Sequence, residues 1–146
     1  MTNESSASSD LEKFFTLYGQ AVWEKDVAAL MALYSEDLVI FDLWEKPAHS
    51  SYSEWSETMN QWLGSLDGER VRVEFEKVRT FASGNQGYAS AFVSFSAVSE
   101  ESGKVLRSIK ERISLGFIKE GSIWRVNHQH TSLPISPSNR EAIFFK

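Results

Sequence analysis

Two histidines near the carboxyl end of the chain have the type and spacing most suggestive of chemistry. The segment 124–134 reads WRVNHQHTSLP. As a strand, its period of two places Trp124, Val126, His128 and His130 on one face. Imidazoles titrate near neutral pH, so two of them beside hydrophobic residues indicate a ligand pocket with a capacity for proton transfer. The structural alternative is one hydrogen-bonded core histidine with a second near the rim.

Asp42 is the candidate base. The segment 38–44 is rich in β-branched and aromatic residues, which predicts a strand with Leu38, Ile40, Asp42 and Trp44 on one face. A carboxylate buried without a partner is costly, so we expect Asp42 to pair with Arg112, a histidine or water in a pocket. The alternative is an ion pair that stabilises the strand end.

Four further side chains are candidates for ligand contact. Tyr18 lies on a helical stripe of hydrophobes and is either a core tyrosine or a pocket hydrogen-bond donor. Alternation of side chains along its strand makes Arg112 either exposed or part of a second buried face. If it enters a cavity, its guanidinium would favour a carboxylate or phenolate ligand. Trp44 and Trp55 either line the ligand or belong to the core. An H-x-H pair also suits a metal ion, but this spacing is common on strands, and we expect no metal and no cofactor.

Composition restricts the class of protein. The 146 residues fit one domain, and a net charge of -5 argues against nucleic acid as a partner, which requires clustered Lys and Arg. No apolar run approaches the ~20 residues that cross a bilayer, and the polar start lacks a signal peptide's hydrophobic region. We therefore expect no membrane partner and a cytoplasmic location. The absence of cysteine excludes disulfides and thiolate chemistry.

The first half of the chain predicts three helices and one strand. Residues 1–9 are Ser-rich and are expected to form a flexible segment, after which a capping box at 9–12 begins a helix at Asp10. Asp26 caps a short second helix whose inner face includes Tyr34, and a polar turn at 35–37 ends it. A second capping box at 51–54 begins the third helix.

The second half predicts long strands at 69–82, 86–99, 105–118 and 122–131, joined by Gly-containing turns as an antiparallel meander. In the first of these strands, alternation places Val71, Val73 and Phe75 on one face but Val78 on the other. We therefore expect a bulge near residues 76–77 that keeps Val78 inward and curves the sheet.

These elements predict an α+β fold in which a cone-shaped, curved sheet wraps around the N-terminal helices and leaves a cavity. The strand 86–99 is apolar or small on both faces, so the outer sheet face is expected to form a homodimer. The single domain is expected to span 10–134. Residues 135–146 form an irregular tail whose last aromatic residues dock on the body or on a partner.

This order of elements resembles the nuclear-transport-factor-two-like superfamily over roughly residues 10–134. The most specific part is the ending at 124–134, which is similar to the W-x-x-x-H-x-H-x-S-x-P ending of the SnoaL-like group and to the association domain of calcium/calmodulin-dependent kinases. Arg112-Ile113-Ser114 resembles the Arg-x-Thr/Ser of that group's preceding strand. The resemblance implies a cystatin-like α+β barrel roll with an antiparallel or mixed sheet, and organic ligands.

A second resemblance is local. The segment from Tyr18 to Asp42 is similar, without a gap, to the ketosteroid isomerase segment whose tyrosine polarises the substrate carbonyl and whose aspartate shuttles the proton. Such a pair is required because a carboxylate removes a proton beside a carbonyl only if a donor stabilises the enolate. The third group of that enzyme, an acid on a later strand, has no match, because the corresponding region reads Glu111-Arg112-Ile113 with a hydrophobe near the expected position.

Together these patterns predict a SnoaL-like protein with a small-molecule pocket. We expect a cofactor-independent acid–base enzyme of isomerase, cyclase, dehydratase or hydrolase type that acts on a small apolar carbonyl compound or an anionic ligand. Asp42 is the expected base, with Tyr18 and His130 as hydrogen-bond donors. The expected ligand contacts are His128, Arg112, Trp44 and Trp55. The alternative is a non-catalytic dimeric ligand-binding or association domain.

Overall fold

Helices fill the first half of the chain and long strands the second, as the spacing of the apolar residues predicts. The computed structural model describes residues 3–145, with side chains from residue 7 onward. The elements are α1 (Asn3–Glu24), α2 (Val27–Met31), β1 (Tyr34–Phe41), α3 (Tyr52–Gly64), β2 (Glu69–Ser83), β3 (Gln86–Ser99), β4 (Val105–Glu120) and β5 (Ile123–Ser132).

The five strands form one open sheet in the order β1-β5-β4-β3-β2. β2 to β5 are an antiparallel meander, whereas β1 joins the edge beside β5 in the parallel direction. α1 packs along β2, and α3 packs against β1. The predicted α+β fold, with a mixed sheet wrapped around the N-terminal helices, is therefore confirmed.

Two of the predicted helix starts are confirmed by their caps. The Asp26 side chain accepts a hydrogen bond from Ala29 N at 3.0 Å at the start of α2. Ser51 Oγ accepts from Glu54 N at 3.2 Å at the start of α3, and Glu54 Oε1 accepts from Ser50 N at 3.0 Å. These bonds satisfy backbone N–H groups that have no partner within the helix. No helix in the described part of the chain is long and apolar enough to cross a bilayer.

Three local predictions in the first half are wrong. The strand predicted at 38–44 after a polar turn at 35–37 is β1 at Tyr34–Phe41, so it includes the predicted turn and ends three residues earlier. α1 begins at Asn3 rather than at Asp10, because Ala7 packs against the core and Ser8 Oγ donates to Thr80 O at 3.4 Å, contacts that override weak local propensity. Tyr34 begins β1 rather than lying on α2, because its backbone is drawn into pairing with β5. Residues 1 and 2 of the predicted flexible segment lie outside the described residues.

The bulge predicted in β2 is confirmed. The pairing of β2 with β3 shifts register between Glu76 and Arg79, and Lys77 adopts a positive φ of 53°. An extra residue at this point restores the inward phase of the strand, and Val78 is half-buried beyond it. The bulge also strengthens the local twist, which bends the sheet around α1.

β5 contains a second bulge, which the sequence analysis missed. The neighbouring β4 residues Gly116 and Phe117 pair with His128 and Val126, so Asn127 is an extra residue on β5. Gly116 leaves room for it, because a Cβ there would lie 3.1 Å from Asn127 Oδ1 and 3.3 Å from His128 Cβ. One inserted residue moves every later side chain of the strand to the opposite face.

The β5 bulge makes the predicted placement of the two imidazoles wrong. Val126 is buried on the inner face, and Gln129 and Thr131 continue that face at 3% and 5% exposure. His128 is half-buried and His130 is exposed, both on the outer face. The imidazoles that the strand period assigns to the interior therefore lie on the outside of the sheet.

The core lies between α1 and the inner face of the sheet. Phe14 on α1 meets Phe117 on β4 edge-on, with ring centroids 5.6 Å apart, and Tyr18 packs beside Phe14 at 5.5 Å. On the outer face, Phe145 of the C-terminal tail contacts Phe92 of β3 at 5.6 Å. The tail thus docks on the body of its own chain, one of the two outcomes expected from its aromatic residues.

Gly116→Ala tests the packing at the β5 bulge. The added Cβ crowds the Asn127 side chain and His128 Cβ, so we expect the free energy of unfolding to fall by about 1–2 kcal/mol. Gly64→Ala, where nothing lies within 4 Å of the added Cβ, should instead gain roughly 0.5–1 kcal/mol as a matched control. Urea denaturation measures both. An unchanged Gly116→Ala protein would mean that the bulge has room for a side chain.

Candidate functional site

A cavity of about 700 Å³ opens between α3, the loop after β1 and the inner face of the sheet. Most of the surface of its wall is apolar, although polar and charged residues are numerous in the lining. The apolar lining includes Trp55, Met59, Trp62, Leu66, Phe95 and Ile109. The polar lining includes Tyr18, Asp42, His49, Glu111, Gln129 and Thr131.

Asp42 reaches the cavity because it follows directly on β1 and keeps the inward phase of Leu38 and Ile40, as predicted. Thr131 Oγ1 donates a hydrogen bond to Asp42 Oδ1 at 3.0 Å and accepts one from Leu43 N at 3.1 Å. The Thr131 hydroxyl therefore holds Asp42 in place while the rest of the carboxylate faces the cavity.

Tyr18 is a buried phenol on the wall formed by α1. Its side chain is 4% exposed and packs against Phe75 with ring centroids 6.0 Å apart. Burial, followed by the charges of Tyr34, Glu111 and Asp42, raises the pKa of Tyr18 well above its usual value. The Tyr18 hydroxyl thus stays protonated and serves as a hydrogen-bond donor.

Glu111 on β4 is the second carboxyl of the cavity. It is 4% exposed, and burial together with the nearby charge of Asp42 raises its pKa to about 7. Neither the Glu111 carboxyl nor the Tyr18 hydroxyl has a hydrogen-bond partner among the residues that the structure describes. Both polar groups are therefore available to a molecule in the cavity.

An acid from a later strand, Glu111, lines the cavity with Tyr18 and Asp42, although the resemblance to ketosteroid isomerase offered no match for that enzyme's third group. In the sequence, the position expected for that acid lies near the hydrophobe Ile113. Alternation along β4 places Glu111 and Ile113 on the same inner face of the sheet. The sequence signal for an inward Glu111 was its position two residues before Ile113 and four before Leu115, which places all three side chains on one face of the strand.

His49 is an imidazole in the cavity that the sequence analysis did not select. It is 3% exposed and lies in the loop between β1 and α3, where its backbone pairs with that of Ile40. The His49 ring lies edge-on to Trp55, with centroids 5.0 Å apart. The signal that could have identified it is its position just ahead of the capping box of α3.

Three predicted site residues lie outside the cavity, on the outer sheet face. His128 Nδ1 donates to Val39 O at 2.8 Å, and the ring of Phe41 meets His128 and His130 at 5.0 and 5.5 Å. Arg112 is exposed and donates from Nε to the hydroxyl of Ser132 at 3.1 Å. The β5 bulge turns the histidines outward, and Arg112 alternates with the inward Glu111.

The two predicted tryptophans do line the cavity. Trp55 is 2% exposed and packs against Tyr34, with ring centroids 6.2 Å apart, so it belongs to both core and wall. Trp44 is 55% exposed at the rim. Tyr34 in turn donates a hydrogen bond to Gln129 Oε1, which fixes the Gln129 side chain against the core.

Arg107, rather than Arg112, is the arginine at the cavity. Both of its terminal nitrogens donate to the carboxylate of Glu69, with Nη1 3.1 Å from Oε2. These hydrogen bonds lower the pKa of Glu69. Among the described residues, no group of three or more His, Asp or Glu side chains is arranged to hold a metal ion.

Comparison with known proteins agrees with the element order. The family model of the SnoaL-like domain matches residues 11–136. A nuclear-transport-factor-two-like protein of unknown function from Pseudomonas putida is 21% identical, with a TM-score of 0.84 over 97% of this chain and 96% of that one. No curated protein matches the chain.

Two other solved structures share the fold. A cystatin-like protein of unknown function from Nostoc punctiforme is 11% identical, with a TM-score of 0.71 over 94% of this chain and 97% of that one. A chain from Xanthomonas campestris, described as a candidate association domain of calcium/calmodulin-dependent protein kinase II, is 15% identical, with a TM-score of 0.66 over 84% of each chain. At these identities the likeness establishes the fold, including its cystatin-like class.

Glu111 should make stability depend on pH. The folded protein binds the Glu111 proton more tightly than the unfolded chain does. Folding is therefore penalised only at a pH at which the unfolded chain has lost that proton. The free energy of unfolding should therefore fall as pH rises from 4.5 to about 7. The total loss should be roughly 3 kcal/mol.

Glu111→Gln removes this loss because an amide does not ionise. Its stability relative to wild type should rise between pH 4.5 and 7 and then level off, as measured by denaturant unfolding across that range. Glu36→Gln, at an exposed position of β1, is the control and should track wild type. Parallel pH profiles for wild type and Glu111→Gln would contradict the raised pKa.

Proposed function

Because this chain belongs to the SnoaL-like domain family, we propose that it binds a small carbonyl compound in its cavity and moves a proton on it by acid–base chemistry. The observation that carries the proposal is the presence of Asp42, Tyr18 and Glu111 along one cavity, with the pKa of the last two raised. When the surroundings of two titratable groups give them different pKa values, one group can act as the acid and the other as the base. The chemistry requires no cofactor.

The cavity suits an organic ligand of modest size. Its volume of about 700 Å³ and its wall of Trp, Phe and aliphatic side chains favour a compact apolar molecule. Two carboxyl groups in the interior disfavour an anionic group there, so the buried end of the ligand is a neutral carbonyl. The cytoplasmic location expected from the sequence is part of the same proposal.

Asp42 acts as the base. Its carboxylate takes the proton from the carbon next to the carbonyl, and the electron pair of the broken C–H bond forms a carbon–carbon double bond while the carbonyl oxygen becomes an enolate. In a substrate with a second carbon–carbon double bond conjugated with the enolate, return of the proton to the far carbon of that system re-forms the carbonyl and completes an isomerisation. In a substrate with a leaving group on the next carbon, the enolate re-forms the carbonyl and a new carbon–carbon double bond while the group departs with its bonding pair and takes the proton from Asp42, which completes an elimination. Thr131 keeps Asp42 oriented through its 3.0 Å hydrogen bond.

Tyr18 and protonated Glu111 stabilise the enolate oxygen. Both are buried, and neither has another hydrogen-bond partner among the described residues, so their O–H groups are free to donate. Fixed donors in a site of low dielectric constant stabilise developing negative charge more strongly than water does. His130, His128 and Arg112 take no part in this proposal because they lie on the other face of the sheet.

Hydrogen–deuterium exchange on small ketones tests the proposal without knowledge of the natural substrate. Wild-type protein in D₂O should accelerate exchange at the carbon next to the carbonyl of at least one bicyclic ketone, as followed by proton NMR. Asp42→Asn should lower that rate by roughly 10²–10⁴-fold, and Tyr18→Phe by roughly 10²–10³-fold. Asp37→Asn, at an exposed position of β1, should leave the rate unchanged.

Two results would overturn the enzyme proposal. The first is exchange that survives Asp42→Asn, because it would show that another group removes the proton. The second is tight ketone binding with no accelerated exchange by wild type, which favours the non-catalytic ligand-binding alternative.

We also propose that the outer sheet face forms a homodimer. Phe81 and Tyr88 are 51% and 57% exposed and stack with ring centroids 5.6 Å apart, an apolar area that a second copy would cover. Tyr88→Glu should therefore reduce the sedimentation coefficient from a dimer's to a monomer's. Glu101→Lys, in the β3–β4 turn, should leave it unchanged. A monomeric wild-type protein would remove the proposal.

A further inference from the structure

His49 lies on the same side of the sheet as the proposed base. Its backbone forms a two-way bridge with Ile40, with N–O distances of 2.8 and 2.9 Å. Directly paired residues of antiparallel segments project to the same face, and residue i+2 of a strand shares that face. His49, Ile40 and Asp42 thus point to one side, and His49 and Asp42 both line the cavity.

The hydrogen bonds around His49 select one tautomer. Its Nδ1 lies 3.5 Å from Thr58 Oγ1 and 3.8 Å from Glu54 Oε1. The Thr58 hydroxyl donates its own proton to Glu54 O at 3.1 Å, so toward His49 it acts as an acceptor. Nδ1 therefore faces two acceptors and carries the hydrogen. In the neutral ring, Nε2 is then the unprotonated nitrogen.

Two other neutral acceptors of the cavity already accept a hydrogen bond. Gln129 Oε1 accepts from the Tyr34 hydroxyl, and Thr131 Oγ1 accepts from Leu43 N. The described residues give His49 a hydrogen bond at Nδ1 and none at Nε2, and the residue lines the cavity although it is only 3% exposed. Nε2 is therefore an acceptor that a donor group on a ligand in the cavity could use.

We propose that His49 Nε2 accepts a hydrogen bond from a hydroxyl group on the ligand. The substrate class is then a hydroxylated cyclic ketone. The proposal rests on the proposed function for the carbonyl end of the ligand, where Tyr18 and Glu111 donate. The cavity lining then offers both kinds of group, with Tyr18 and Glu111 as hydrogen-bond donors and His49 as an acceptor. Glu54 and Thr58 are positioning residues that hold the tautomer.

Binding of matched ketones tests this specificity. The probes are α-tetralone and a set of ring-hydroxylated tetralones that differ in the position of the hydroxyl, titrated by calorimetry. Wild type should bind at least one hydroxylated isomer roughly threefold to tenfold more tightly than α-tetralone, the contribution of one neutral hydrogen bond.

Two substitutions at His49 separate the acceptor from the imidazole. His49→Asn keeps a donor near the Nδ1 position but has no atom at Nε2, so it should abolish the preference for that isomer. His49→Gln places an amide oxygen at the reach of Nε2 and should retain the preference. A preference that persists in His49→Asn, the absence of any preference in wild type, or failure of every probe to bind would overturn the proposal.

The failure of this inference is distinguishable from failure of the proposed function. Tyr18→Phe should weaken binding of α-tetralone and its hydroxylated isomers alike, because it acts at the carbonyl. If Tyr18→Phe has no effect on any probe, the carbonyl site is wrong whatever His49 does. If Tyr18→Phe weakens all probes and the hydroxyl brings no gain, only the His49 assignment is wrong.

Nitrogen-15 NMR of the His49 ring checks the tautomer without a ligand. Wild type should show the proton on Nδ1, and Thr58→Val should shift the ring toward a mixture of tautomers because one of the two acceptors is lost. A proton found on Nε2 in the wild-type protein would overturn the assignment.

Discussion

The extra residue at Asn127 determines which side chains enter the cavity. The first part of β5 places Val126 in the core, and without the bulge the same phase would carry the two later imidazoles inward. The bulge gives the inner positions to Gln129 and Thr131 instead, and these two hold Tyr34 and the proposed base. The site is therefore set by a local irregularity of the backbone in β5.

Asp42 and Glu111 line the cavity and form no ion pair within the described part of the chain, although Lys46 and Arg107 also line it. Lys46 lies 3.8 Å from the carboxylate of Glu54. Arg107, which lies at the cavity, is engaged by Glu69. Asp42 keeps a hydrogen bond from Thr131, whereas Glu111 has burial and a neighbouring negative charge, which act against ionisation. Burial thus raises the proton affinity of Glu111, which suits a carboxyl that holds a proton in acid–base chemistry.

Much of the architecture could be predicted from sequence because it depends on the spacing of apolar residues and on the turn and capping residues between elements. The limits of β2 to β5, the caps of α2 and α3 and the β2 bulge follow from apolar spacing and from turn residues, whereas the limits of β1 do not. The β2 bulge was visible because Val78 falls out of phase. The β5 bulge was not, because histidine is tolerated on either face and gave no phase error, so simple alternation sent His128 and His130 inward.

The candidate site was only partly predictable for the same reason. Asp42 and Tyr18 occupy regular positions of a strand and a helix, and both line the cavity. His49 lies in a loop whose backbone pairing with Ile40 is a tertiary event that no local pattern encodes. Glu111 follows from alternation along β4, but its raised pKa depends on burial by other elements.

The proposed chemistry depends on Glu111, a cavity carboxyl whose pKa is raised by burial and by the charge of Asp42. Carbon-13 NMR of the side-chain carboxyl groups across a pH titration measures this most directly. Glu111 should titrate near pH 7, well above the range of an ordinary glutamate. A Glu111 resonance that titrates together with the exposed glutamates would contradict the account.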